Sequence, residues 1–220
     1  MILLAAALLT AASSVPPVLE WEKLHETDGI TVYRSRVPGS PVVAFKGDGR
    51  VDVPLLKVAH VIIDPARGTE WVDSLAESRV VRAISDLEFI EYDRFAMPLF
   101  VKDRDFVSHV TVTADPAGAD VEIRFVSEAD PVMPPAPCCV RGEIVYSVFH
   151  LRPDGYGATR VEAEILCDPR GSLPKWLVNL FQKSWPVKTL QDLRRQAARP
   201  DVTPHPALAR LWIAADSAKR

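Results

Sequence analysis

An excess of charge is missing from this chain: 26 basic residues stand against 29 acidic ones, with no long run of either sign. That balance leaves no electrostatic footprint for gripping a phosphate backbone, so nucleic acid is excluded as a partner. Clustered metal ligands are missing too. His25, His60, His109, His150 and His205 form no i, i+3 or i, i+4 pair and there is no C-x-x-C, so no metal site is expected. No G-x-S-x-G elbow and no glycine-rich phosphate loop is present, so no catalytic residue and no cofactor is assigned. Cysteine is scarce and odd in number, which rules out a full intramolecular disulfide framework. If Gly155 centres a hairpin, Cys167 falls opposite Glu143, several residues from Cys139 and outside the ~7 Å Cα reach of a bridge. Cys138, Cys139 and Cys167 are therefore read as buried or free thiols.

A run of about 20 apolar residues, enough to cross a bilayer, is also absent from the start of the chain, where the apolar run spans Ile2 to Ala12 with Thr10 inside it. That length fits the core of a secretory signal, with Ala11, Ala12, Ser13 and Ser14 as small residues for cleavage. The expectation is a signal peptide over 1–14 and a periplasmic or secreted protein. The missing positive charge ahead of the run leaves open an upstream start or an uncleaved apolar tail.

What is present is the material for one globular domain, with 48% hydrophobic and 25% charged residues. The stretch VLEWEKLHE predicts a short amphipathic helix, and Asp28-Gly29 a turn into the alternating strand ITVYRSR. Pro38-Gly39 turns the chain into VVAFKGDGRV. Asp52 is a candidate N-cap for a helix from Pro54 to Ile63, with Leu55, Val58, Ala59 and Ile62 on one face. A short helical piece near Arg67 to Val72 carries Trp71. The period then becomes 2 through SRVVRAIS, LEFIEYDRFA, RDFVSHVTVTA and ADVEIRFVSEA, which predicts consecutive antiparallel strands. The proline-rich DPVMPPAPCC must be a loop. VRGEIVYSVFHLR and ATRVEAEILC flank Pro-Asp-Gly-Tyr-Gly as a hairpin.

These elements amount to an α+β grip, a curved antiparallel sheet wrapped around one long helix. In the last strand Arg160, Glu162 and Glu164 face water while Val161, Ala163 and Ile165 face in. Val161 and Ala163 are small, and Ser108 and Ser147 also point inward, a set that leaves the interior incompletely filled. The closing helix covers residues 171–196, capped by Ser172. Its apolar residues spread over a broad arc, and Pro186 removes an internal hydrogen bond, so a kink is expected. Pattern alone admits a bent core helix or a lid that flexes at the proline.

Four stretches carry a family resemblance: Asp28-Gly-Ile-x-Val-Tyr33, Asp64 with Trp71 seven residues on, Arg104-Asp-Phe-Val107, and Asp168-Pro-Arg-Gly-Ser-Leu-Pro-Lys-Trp-Leu-Val-Asn179. In order and spacing they resemble the START domain, the steroidogenic acute regulatory protein-related lipid-transfer fold, in its bacterial form. The resemblance implies a START-like lipid-binding domain over 18–199, followed by a C-terminal extension over 200–220. It implies a helix-grip fold with an internal hydrophobic tunnel that binds one lipid or other apolar molecule and carries or senses it, with the long helix as lid.

On the sheet side, the resemblance and the strand faces together nominate Trp71, Tyr92, Arg94, Phe106, Ser108 and Val110 as ligand-binding, and with them Phe125, Val161 and Ala163. Tyr92 and Arg94 share a face with Ile90 and offer an aromatic and a cation to a headgroup, although Arg94 also suits an outer-face charge. On the helix side the candidates are Trp176, Leu177, Leu180 and Phe181. Phe181, Lys183, Trp185 and Lys188 are candidates for transient membrane contact. Cholesterol-binding members resemble one another in a buried acid and an arginine six residues after Arg104; here that position is Val110, so a sterol bound in that manner is in doubt. Arg104 itself reads as a structural ion pair. An enzyme of the wider superfamily, a polyketide cyclase or hydrolase using Glu91, Asp93 or His109, is the alternative function, and a ligand-responsive interaction module is a third.

Overall fold

The computed structural model describes residues 19–98, 101–173 and 175–218; the side chains of 175–177 and 179–182 fall outside what is described. The leader reading over 1–14 lies outside the described residues. In chain order the elements are β1 (Glu22–Thr27), β2 (Ile30–Arg36), β3 (Val43–Val51), α1 (Leu55–Ile62) and a 3-10 turn (Pro65–Glu70). There follow β4 (Leu75–Ser85), β5 (Glu88–Phe95), β6 (Asp103–Asp115), β7 (Asp120–Ser127), β8 (Cys139–Arg141), β9 (Glu143–Pro153) and β10 (Thr159–Asp168). Two helices close the chain, α2 (Lys175–Ala197) and α3 (Pro206–Ala218). The sheet runs β1-β2-β3-β10-β9-β7-β6-β5-β4, antiparallel between all neighbours, with the short β8 parallel to β6 off this path. The α+β helix-grip architecture is thus present.

The segment expected to be the first helix is instead β1. Asp28 and Gly29 both have positive φ, 54° and 65°, as a two-residue hairpin turn requires, and Thr27 pairs directly with Ile30. Pairing with β2 overrides a weak helical period, and the charges of the segment find cross-strand partners, Glu22 accepting from Arg34 at 2.9 Å. Asp52 is not a cap. Its carboxylate accepts from Arg50 at 2.7 Å, and Pro54 occupies the N-cap of α1 with no side-chain cap bond. The helix is held by burial of Leu55, Val58, Ala59, Val61 and Ile62.

One strand was expected across 140–152, but it breaks at Gly142, where a Cβ would meet the Phe106 ring at 2.3 Å. The β9–β10 hairpin also differs in register. Thr159 pairs with Pro153, and a bulge between Leu166 and Cys167 sets Cys167 opposite Ile144 rather than Glu143. Cys138, Cys139 and Cys167 form no disulfide, and burial pushes the Cys139 and Cys167 thiols up to about 12.

Two glycines of β3 decide where α2 lies. A Cβ at Gly47 would meet the Pro186 Cβ at 2.8 Å, and one at Gly49 would meet Leu190 Cδ2 at 2.7 Å. Their absence of side chain lets the helix settle onto the strand. Beyond Pro186 the helix is anchored: Leu190 and Leu193 are fully buried, and Arg194 donates to the Arg50 and Asp28 carbonyls at 2.8 and 2.9 Å. The C-terminal extension joins the same core through Val202 and Leu208, beside α1.

Candidate functional site

A cavity of about 130 Å³ lies between the inner face of the sheet, the end of α1 with the turn after it, and α2. Its walls are mostly apolar. Val61, Ile62 and Trp71 form one side, Phe125, Phe149 and Ile165 the sheet side, and Trp185 of α2 closes over them. Trp185 meets the Phe149 ring edge-on at 6.3 Å, and Phe149 meets Phe125 at 6.1 Å. The space suits a small ring or a short stretch of chain, since an apolar void of ~150 Å³ takes up benzene.

One pole of the cavity is polar. Alternation along β5 turns Phe89, Glu91, Asp93 and Phe95 to one face and Ile90, Tyr92 and Arg94 to the other. Glu91 and Asp93 line the cavity beside Ser78 of β4, which pairs across the sheet with Asp93. Glu91 is only 6% exposed. Burial, and then the neighbouring Asp93 carboxyl, push its proton affinity well above the ordinary carboxylate range. Burial raises Asp93 as well, partly offset by hydrogen bonding to Glu91 and Ser78. A pair so placed favours one shared proton over two charges. Asp93 Oδ1 is buried with no hydrogen-bond partner, as is the Oγ of Ser108, the residue facing Glu91 in register.

Several nominated residues lie elsewhere. Tyr92 is buried on the opposite face of β5 with Ile90 and Val107, under the Arg79 guanidinium at 5.2 Å and beside Met133. Arg94, on that face too, pairs with Asp103 at 2.8 Å and Glu77 at 3.5 Å, so neither presents to the cavity. Val110, Val161 and Ala163 are fully buried members of the main core, and Phe106 stacks edge-on against Phe95 at 5.7 Å. Trp71 and Phe125 do line the space. The side chains of Trp176, Leu177, Leu180 and Phe181 fall outside the described residues. Trp185, nominated for membrane contact, faces inward, and Lys188 is held by Asp73 at 2.8 Å. His109 is bonded to Glu88 at 2.8 Å and Glu128 at 3.2 Å, away from the cavity lining, so Glu91, Asp93 and His109 do not assemble into one acid/base group.

The Arg-Asp-Phe-Val motif acts at the approach to α2. Arg104, 4% exposed, donates to the carbonyls of Lys102, Pro169 and Arg170, so the Arg104–Val107 motif is tied to the stretch that starts at Asp168. The expected ion pair belongs to its neighbour: Asp105, on the other side of the strand, accepts from Arg141 at 2.9 Å. Ser147, read as inward-facing, lines the cavity, and so do Phe95, Ile144 and Thr189, which the sequence pattern did not single out.

The family model for the START domain matches residues 17–200. An uncharacterized protein of Pseudomonas aeruginosa is 30% identical over 200 residues, 90% of this chain and 96% of that protein. The phosphatidylcholine transfer protein of Bos taurus is 26% identical over 177 residues, covering 79% of this chain and 82% of its own. Among solved structures, a STAR-related lipid transfer protein fragment from Xanthomonas axonopodis superposes with a TM-score of 0.72 at 27% identity, over 81% of this chain and 99% of that one.

Proposed function

The chain belongs to the START domain family, and from that premise we propose that it binds one lipid or comparable apolar molecule between sheet and α2 and carries or senses it. The observation that supports this most is the cavity itself, walled by Trp71, Phe125, Phe149, Ile165 and Trp185. Each methylene moved from water into such a space gains ~0.8 kcal/mol, so a chain of several carbons is held without a metal or a covalent bond. A molecule longer than the cavity is admitted by movement of α2. Pro186 has no N–H to donate to the preceding turn, and the helix beyond it is fastened to β2 and β3. The segment ahead of Pro186 is then the lid, and Arg104 holds the carbonyls of the strand-to-helix link at its far end.

Native mass spectrometry of the full chain tests the proposal, followed by organic extraction of what co-purifies. One apolar molecule per chain is the expected result. A protein that is empty, and stays empty after incubation with mixed-lipid vesicles, would overturn it.

A further inference from the structure

The C-terminal extension reaches the core through a histidine set between two prolines, Pro204 and Pro206. The His205 carbonyl accepts from the Ala209 N–H at 2.9 Å, so the residue stands at the start of α3. Around it Val202, Ala207 and Leu208 are buried. The His205 ring meets the His60 ring of α1 edge-on, with centroids 5.5 Å apart. His60 donates through Nδ1 to the Thr203 carbonyl, and its Nε2 lies 3.9 Å from Asp64 Oδ2. His205 Nδ1 is buried, and among the described residues it has no hydrogen-bond partner.

The two rings meet acid differently. A proton added to His60 at Nε2 faces the Asp64 carboxylate. In the His205 cation both ring nitrogens carry a hydrogen, so Nδ1 becomes a buried donor with no acceptor. That cation would also stand at the positive end of α3 and against His60. The charges nearby are already committed. Asp86, in the β4–β5 turn, is taken by Arg210 of α3 at 2.6 Å, and Asp64 is beside His60. Arg67 pairs with Glu70 and Asp201 at 2.7 and 2.9 Å, Arg199 with Asp201 at 3.0 Å, and Lys57 donates to the Arg199 carbonyl. Burial, and then His60, lower the proton affinity of His205.

We infer that His205, set against His60, is an acid-sensitive clasp of the C-terminal extension, docked while the ring is neutral and released when it is charged. The released chain binds the proton more tightly than the docked one. Docking is therefore complete above the ordinary imidazole value of ~6.5. It weakens below that value by up to about tenfold per pH unit, until the docked ring is itself protonated. Trp71 lies beneath the clasp. It walls both the small space under the extension, with His60, Gln196 and Val202, and the apolar cavity, so release uncovers the outer side of a cavity wall. The clasp itself does not depend on what the cavity holds.

Hydrogen exchange of the full chain, read peptide by peptide by mass spectrometry at about pH 7.5 and about pH 5 and corrected for intrinsic rates, tests this. Protection of 202–218 is expected to fall about fivefold or more in acid, while β9 and β10 keep theirs. His205→Phe keeps a ring against His60 but takes up no proton, and in it the acid response should vanish. His205→Gln, polar and also without a titrating proton, should give the same result and stands in if the first variant does not fold. An extension equally protected at both pH values, or an acid response retained in the variants, would overturn the clasp. So would a loss of protection shared by β9 and β10, which would report general acid unfolding.

Discussion

Glu91 shows how one side chain ties stability to pH. Its native proton affinity is raised above that of the unfolded chain, so the folded state binds more protons between the two values. Stability from this group is therefore highest in acid and falls as pH rises above ~4.3, with a slope approaching ~1.4 kcal/mol per pH unit until the native group ionises. Glu91→Gln removes the charge that causes the loss. Its melting temperature should exceed that of the unsubstituted protein at pH 8 and approach it at pH 4.5; an equal decrease at both values would contradict this account. Glu70 and Asp201 act in the opposite sense. Arg67 and Arg199 hold them at about 2, so their contribution is present above ~4 and is lost as pH falls towards 2. The role of Glu91 could not be assigned from the strand LEFIEYDRFA alone. Both of its faces carry charge, and both are covered in the fold, one by the cavity and the other by the loop bearing Met133.

At the level of elements, the seating of α2 on β3 depends on atoms that are absent. Gly49→Val places a Cβ 2.7 Å from Leu190 Cδ2 and 3.1 Å from Ile30 Cγ1, and both of those side chains are fully buried. Overpacking of this kind costs ~1–3 kcal/mol, and for a chain of this length that is a fall of ~2–12 °C in melting temperature. A thermal scan that shows no change would mean that the helix stands off the strand. The strand itself was readable from the Pro38-Gly39 turn ahead of it, and the long helix, which runs through Pro186 as one element, from its broad apolar arc. The contact between Gly47, Gly49 and α2 was not, because 139 residues separate Gly47 from Pro186 and nothing local marks the meeting. The first strand failed as a helix for a related reason: its period was weak, and its partner lies across a turn.

For the whole molecule, the C-terminal extension is part of the folded core. Val202, Ala207 and Leu208 are buried, Lys57 donates to the Arg199 carbonyl at 3.3 Å, and His60 is bonded to the Thr203 carbonyl. Ending the chain after Arg199 exposes the α1 face that they cover. Burying one leucine is worth ~1.5–3 kcal/mol, so the shortened protein should unfold at a clearly lower denaturant concentration. An unchanged midpoint would show that the extension is only appended.

Most strands and the long helix were readable along the chain because period, turn residues and proline act over a few neighbours. The motifs that resemble the START domain likewise lie within short stretches, and by themselves they point to the fold. The order of strands, the bulge at Cys167 and the inward face of β5 had to await the fold. So did the placement of Tyr92 and Arg94 away from the cavity and of Trp185 within it. Each of these depends on what lies across from a residue in space, and burial, which sets the cost of every polar atom at this site, is a property of that opposite surface.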